Sequence, residues 1–84
     1  MSEEAVYLKE LVRTLTKREM QVYELLGQGD KNPQIAKKLC ITISTVKAHV
    51  SNIFAKLKVD NRSKVAAIAA KIPDEPPKVI ELKK

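Results

Sequence analysis

Residues Ile41–Arg62 read ITISTVKAHVSNIFAKLKVDNR. At about 100° per residue, Val46, Val50, Ile53 and Leu57 gather on one side of a helix. Ser44, Lys47, Ala48, Ser51, Ala55 and Lys58 gather roughly opposite. One side is built to be buried; the other is small, basic and hydroxyl-bearing, without bulk or negative charge. Such a surface suits a helix that lies against a nucleic-acid groove. Thr42 is placed to cap this helix, with Ile41 and Val46 as a hydrophobic staple across the cap, so it is expected over about 43–58.

The neighbouring segments carry helix signals of their own. In Leu15-Thr16-Lys17-Arg18-Glu19-Met20, Thr16 and Glu19 have the spacing of a capping box, and Leu15 and Met20 that of a staple. Val22, Leu25 and Leu26 continue the apolar side, and the stop is expected near Gly27–Gly29. Asn32-Pro33 is expected to open a short helix, Asn32 as cap and Pro33 in the first helical position, with Ile35, Ala36 and Leu39 apolar and an end near Cys40. Asp60-Asn61 supplies a break and a cap for a helix over roughly Arg62–Lys71, whose more apolar side holds Val65, Ile68, Ala69 and Ile72. Ala5, Leu8, Leu11 and Val12 suggest a short amphipathic helix ahead of all these. Pro73, Pro76 and Pro77 stop helical structure, leaving Lys78–Lys84 extended or disordered, with Val79-Ile80-Glu81-Leu82 suited to a strand or a docking segment.

Two short-linked helices, the second long and basic, form the helix-turn-helix pattern. The expected fold is therefore all-α, a four-helix bundle with a helix-turn-helix and a short extra N-terminal helix. The chain divides into an arm or linker helix (1–14), the helix-turn-helix domain (15–72) and a Pro- and Lys-containing flexible tail (73–84).

Eighty-four residues allow one small domain with a modest core. No Trp, one Phe and two Tyr leave that core to aliphatic side chains. The net charge of +6 is uneven: residues 1–30 carry four basic and six acidic side chains, 31–62 seven and one, and 63–84 five and three. The excess in the middle third favours a local polyanion-binding surface. Cys40 is alone, so no intramolecular disulfide forms, and no Cys/His cluster has metal-ligand spacing; neither a metal nor another cofactor is expected. With no Ser/His/Asp set, glycine-rich phosphate loop or carboxylate pair, an enzyme is not expected. No apolar run approaches ~20 residues and the N-terminus lacks a signal-peptide core, so a cytoplasmic protein off the membrane is expected.

The segment from Leu15 to about Ala69 resembles the LuxR/GerE-type (NarL-like) helix-turn-helix of bacterial transcription regulators. The likeness is carried by Leu15-Thr16-x-Arg18-Glu19, Val22, Leu25-Leu26, Gly29, Asn32, Ile35-Ala36, Leu39, Ile41-Thr42, Thr45-Val46-Lys47-x-His49, Ile53, Lys56-Leu57, Val59 and Arg62. The Thr45–His49 series favours this family over the related fold of sigma-factor region 4.

The resemblance implies a transcription regulator that reads double-stranded DNA with the helix at 43–58 and pairs through its last helix. Carried over by position, Lys47, Ala48 and Ser51 are expected at base edges. Thr42, Ser44 and Thr45 are expected at phosphate near the helix start, and Lys56, Lys58 and Arg62 along the backbone. Lys31 stands where the family often has a Ser or Thr cap, which shifts capping onto Asn32-Pro33 and lets Lys31 reach phosphate. Lys64 lies in a first helical turn, where the dipole disfavours a cation and a phosphate would relieve it. Val65, Ile68, Ala69 and Ile72 are expected to contact a second copy, giving a homodimer on DNA, with RNA polymerase a further candidate partner. The competing reading is a helix-turn-helix module that binds a regulator or RNA polymerase without specific DNA readout. Stand-alone regulators and effector parts of larger proteins both fit the sequence.

Overall fold

The computed structural model describes residues 2–72, and among them the only regular elements are helices. These are α1 (Glu3–Val12), α2 (Lys17–Gly27), α3 (Asn32–Leu39), α4 (Ile43–Leu57) and α5 (Arg62–Lys71). The proline stop, the extended Lys78–Lys84 and the Val79–Leu82 segment fall outside the described residues. No helix among those described is long and apolar enough to cross a membrane.

Local chemistry accounts for most of the helix ends. At α2, Thr16 Oγ1 accepts from the Glu19 N–H at 3.1 Å while Glu19 Oε1 accepts from the Thr16 N–H at 3.0 Å, the reciprocal capping box. Thr42 Oγ1 accepts from the Thr45 N–H, and Asn61 Oδ1 from the Lys64 N–H, opening α4 and α5. Ser2, which the sequence reading passed over, caps α1 in the same way.

Helix α3 departs from expectation. It begins at Asn32, which puts Lys31 in the N-cap position and Pro33 one place further in. Lys31 has no side-chain acceptor, so the cap is partial: Gln34 Oε1 accepts from the Lys31 N–H at 2.7 Å. The Asn32 side chain is engaged elsewhere, by α5.

The glycines near the end of α2 have separate tasks. Gly29, at φ +91°, makes the left-handed closure, with the Asp30 N–H on the Leu25 carbonyl and the Gly29 N–H on that of Leu26. Gly27 is still helical, and a Cβ there would lie 3.0 Å from the Cβ of Ala69. It is the point of close approach between α2 and α5. The ends of α3 and α4 place Cys40 (φ 57°) and Lys58 (φ 58°) in the left-handed region without glycine. That conformation costs an ordinary residue about 1–2 kcal/mol. The half-buried residue that follows each, Ile41 or Val59, packs against the core and donates its N–H back into the helix, which offsets the cost.

Helix α4 sits at the centre, packed on α2 and α3 and touched by α1, while α5 lies against α2. Val46, Val50, Ile53 and Leu57 are buried as the periodicity requires, joined by Val22 and Leu26 of α2, Ile35 of α3 and Val65 of α5. Leu8 and Val12 carry α1 into the same core. Each aliphatic side chain so buried contributes roughly 1.5–3 kcal/mol, and the buried stripe fixes which side of α4 faces outward.

The dimer contact expected on α5 needs correcting. Val65, Ile68 and Ile72 are at most 6% exposed, and Ala69 is packed against Gly27. This i, i+3, i+4, i+7 stripe is the protomer's own core, because α5 has only this apolar side to seat on α2. The outward face of α5 carries Ser63, Lys64, Ala67 and Ala70, with no large apolar side chain.

Candidate nucleic-acid interface

Ser44, Lys47, Ala48, Ser51, Ala55 and Lys58 are all exposed, so the face of α4 opposite the core is open along its length. Thr42 and Thr45 are exposed at its start, where the first-turn N–H groups and the positive end of the helix dipole lie. The Thr42 hydroxyl also donates to Thr45 Oγ1 at 3.0 Å, which ties these two side chains together. No Asp or Glu occurs between Lys31 and Val59, so this face has no internal anion to neutralise its cations. Lys47, Lys58 and Lys31 are exposed and form no ion pair among the described residues. Their ammonium groups remain available to a polyanion.

Three other expected phosphate ligands already have partners within the protein, Lys64 only in an exposed pair. Lys56 Nζ lies 2.7 Å from Glu19 Oε1 and donates to the Thr14 carbonyl, joining α4 to the start of α2. Arg62 donates through Nη1 to Asn32 Oδ1 at 2.8 Å and through Nη2 to the Asp30 carbonyl at 3.0 Å. Lys64 pairs with Asp60 at 3.0 Å, so a carboxylate one turn back relieves the dipole mismatch that had pointed to a phosphate. The same ammonium, by its hydrogen bond, lowers the Asp60 pKa below the ordinary value.

Two further exposed side chains lie on these surfaces. Asn52 lies on the outward side of α4, beside Ala48 and Ala55, and an amide there has the donor and acceptor to meet an adenine edge. Lys37 is exposed on α3 without an ion pair among the described residues. The helical period that grouped the other face residues also reaches Asn52; the signal was present and passed over. His49 is half-buried between the two faces.

The Glu19–Lys56 pair gives the fold a titratable contact between α2 and α4. Glu19 is 5% exposed, and its carboxyl is held below the ordinary value first by the Lys56 hydrogen bond and then by the Thr16 N–H, against the opposing effect of burial. A carboxylate depressed on folding stabilises fully above its unfolded value, about 4.3, and that contribution is lost as pH falls through the folded one. Stability measured by urea denaturation is therefore expected to hold from neutral pH to about 5 and to decline below about 4.5. Glu19→Gln should flatten that decline. Lys56→Ala should cost about 1–2 kcal/mol at neutral pH, because Lys56 is a third exposed and water partly replaces it. An unchanged acid limb in Glu19→Gln would show that the pair does not set it.

Residues 13–69 match the family described as bacterial regulatory proteins, luxR family. Over 56 residues the chain is 45% identical to transcriptional regulatory protein LiaR of Bacillus subtilis, covering 67% of this chain and 26% of LiaR. Over 60 residues it is 47% identical to response regulator protein VraR of Staphylococcus aureus, covering 71% of this chain and 29% of VraR, with the same figures for VraR of Staphylococcus epidermidis. The matched stretch spans little more than a quarter of the length of these curated relatives. Helix α1 lies ahead of the family match.

Proposed function

This chain belongs to the luxR family of bacterial regulatory proteins, and from that premise we propose that it binds double-stranded DNA sequence-specifically to regulate transcription. The observation that carries this reading is the outward face of α4, exposed throughout, free of acidic residues and held rigid by a fully packed opposite face. In the reading, α4 enters the major groove while α3 braces it across the backbone. Lys47 donates to a guanine edge, Ala48 meets a thymine methyl and Ser51 reads permissively, with Asn52 beside them. Lys31, Thr42, Ser44, Thr45 and Lys58 hold phosphate and set the register. Lys56 and Arg62 are left out of that contact set because the fold already engages their donors, Lys56 with Glu19 and Arg62 with Asn32 and the Asp30 carbonyl, whereas Lys64, in an exposed pair with Asp60, stays in it.

Two copies would occupy half-sites about one helical turn apart. Their contact would use the outward Ser63, Ala67 and Ala70 of α5 rather than its buried stripe. A regulator of this kind is cytoplasmic and does no covalent chemistry. The similarity to proteins named transcriptional regulatory protein and response regulator supports a role downstream of a signal.

The test is to select bound duplexes from a random pool and titrate the chain against them across salt. Log affinity is expected to fall with log salt, at about 0.9 per phosphate neutralised, with a clear preference for the selected site. Affinity flat in salt, or equal across sequences, would overturn the reading.

A further inference from the structure

Arg62 occupies the first position of α5, where the helix dipole disfavours a cation, and its charge is turned away from its own helix. It crosses to the turn before α3 and makes two hydrogen bonds there, one to the Asn32 side chain and one to the Asp30 carbonyl. The Asp30 carboxylate in turn pairs with Lys38 of α3 at 2.7 Å. The segment 28–31 is thus held from three sides: by the left-handed Gly29, by Arg62, and by the Asp30–Lys38 pair. Arg62 and Lys31 line the same shallow recess of about 550 Å³, together with Asn32 and Ser63. Lys31 itself is exposed, and its backbone is held by Gln34.

A guanidinium suits this place. Its fork presents two donors in fixed geometry to two acceptors two residues apart, which a lysine ammonium on a flexible stem cannot reproduce. Because Asn32 is taken by Arg62, it does not cap α3, and the start of that helix depends on α5 for its placement. The consequence extends to the surface: α3 packs mainly on α4 and only lightly on α2. The Arg62 bonds are the restraint that ties its N-terminal end, and with it Lys31, to α5.

We propose that Arg62 is a positioning residue that aims the N-terminal end of α3, and with it Lys31, at a DNA phosphate without touching DNA itself. The proposal rests on the DNA-binding reading given above.

The experiment is a double-mutant cycle on the full chain with a duplex selected as described. Affinity of the wild type, Lys31→Ala, Arg62→Ala and the double variant is measured at several salt concentrations, with helical circular dichroism confirming folding at the titration temperature. Lys31→Ala is expected to weaken binding and to reduce the salt slope by about 0.9 in the wild-type background. With Arg62→Ala already present, the same change is expected to cost at least about threefold less, although the two side chains are not bonded to each other. Asn32→Ala, which removes one acceptor and keeps the carbonyl bond, should give the same coupling at smaller size, and serves should Arg62→Ala fail to fold. Additive effects, a silent Lys31→Ala, or a slope loss from Arg62→Ala that persists in full on the Lys31→Ala background would each overturn the proposal. A wild-type chain that binds no duplex overturns the DNA reading as well; a binding chain with additive effects overturns only the role of Arg62.

Discussion

Ile53→Ala is expected to remove about 2–5 kcal/mol of folding stability. Ile53 is fully buried at the centre of the helix that packs on both α2 and α3. Deleting three carbons there removes their burial and leaves a void that helices already packed on one another close only in part. A domain of this length has a total stability of about 4–13 kcal/mol, so the loss is a large share of the whole. Urea denaturation followed by helical circular dichroism measures the loss. A cost under about 1 kcal/mol would mean that the core around α4 repacks, and that its outward face is less rigidly set than described. Ser51→Ala, on the opposite side of the same helix, serves as control and should stay within about 0.5 kcal/mol.

Lys47→Ala is expected to leave stability nearly unchanged and to weaken binding to the selected duplex by about 1–3 kcal/mol, roughly 5- to 150-fold. The separation follows from geometry. Lys47 is exposed and has no ion-pair partner among the described residues, so the folded protein loses little with it. A base edge facing it would lose a charged donor. The salt dependence adds a second readout: removal of a base contact leaves the slope nearly as it was, whereas removal of a phosphate contact lowers it by about 1. Unchanged affinity and unchanged sequence preference would remove Lys47 from the reading surface and shift weight to Asn52.

The helices were legible because their signals act within one turn. Thr16 with Glu19, Thr42 with Thr45 and Asn61 with Lys64 are pairs three residues apart, and each is formed as the spacing suggests. The buried side of α4 was legible for a related reason, since a period of 3.6 residues sorts Val46, Val50, Ile53 and Leu57 from their neighbours without knowledge of what they pack on. The family likeness drew on these same positions, and it is borne out by the match over residues 13–69.

The roles of individual cations were not legible in that way. Lys56 and Arg62 read as free charges because the groups that hold them lie 37 and 30 residues away in sequence. Asn32 read as a cap because nothing nearby indicated that Arg62 would claim it. Lys64 is the exception that could have been found, since its partner Asp60 is four residues back on the same helix entry. The apolar side of α5 was identified correctly as a stripe and assigned to the wrong neighbour: sequence shows that Val65, Ile68 and Ile72 must be covered, but not whether by α2 or by another copy.

By itself, then, the sequence determined the helices, their caps and the two-sided character of α4, all consequences of short-range hydrogen bonding and helical period. The tertiary structure decided which charges remain to meet a partner. A cation's donors stay open only where the fold has not brought an acceptor, charged or neutral, within about 3 Å of them, and for Lys56 and Arg62 that depends on segments far apart along the chain.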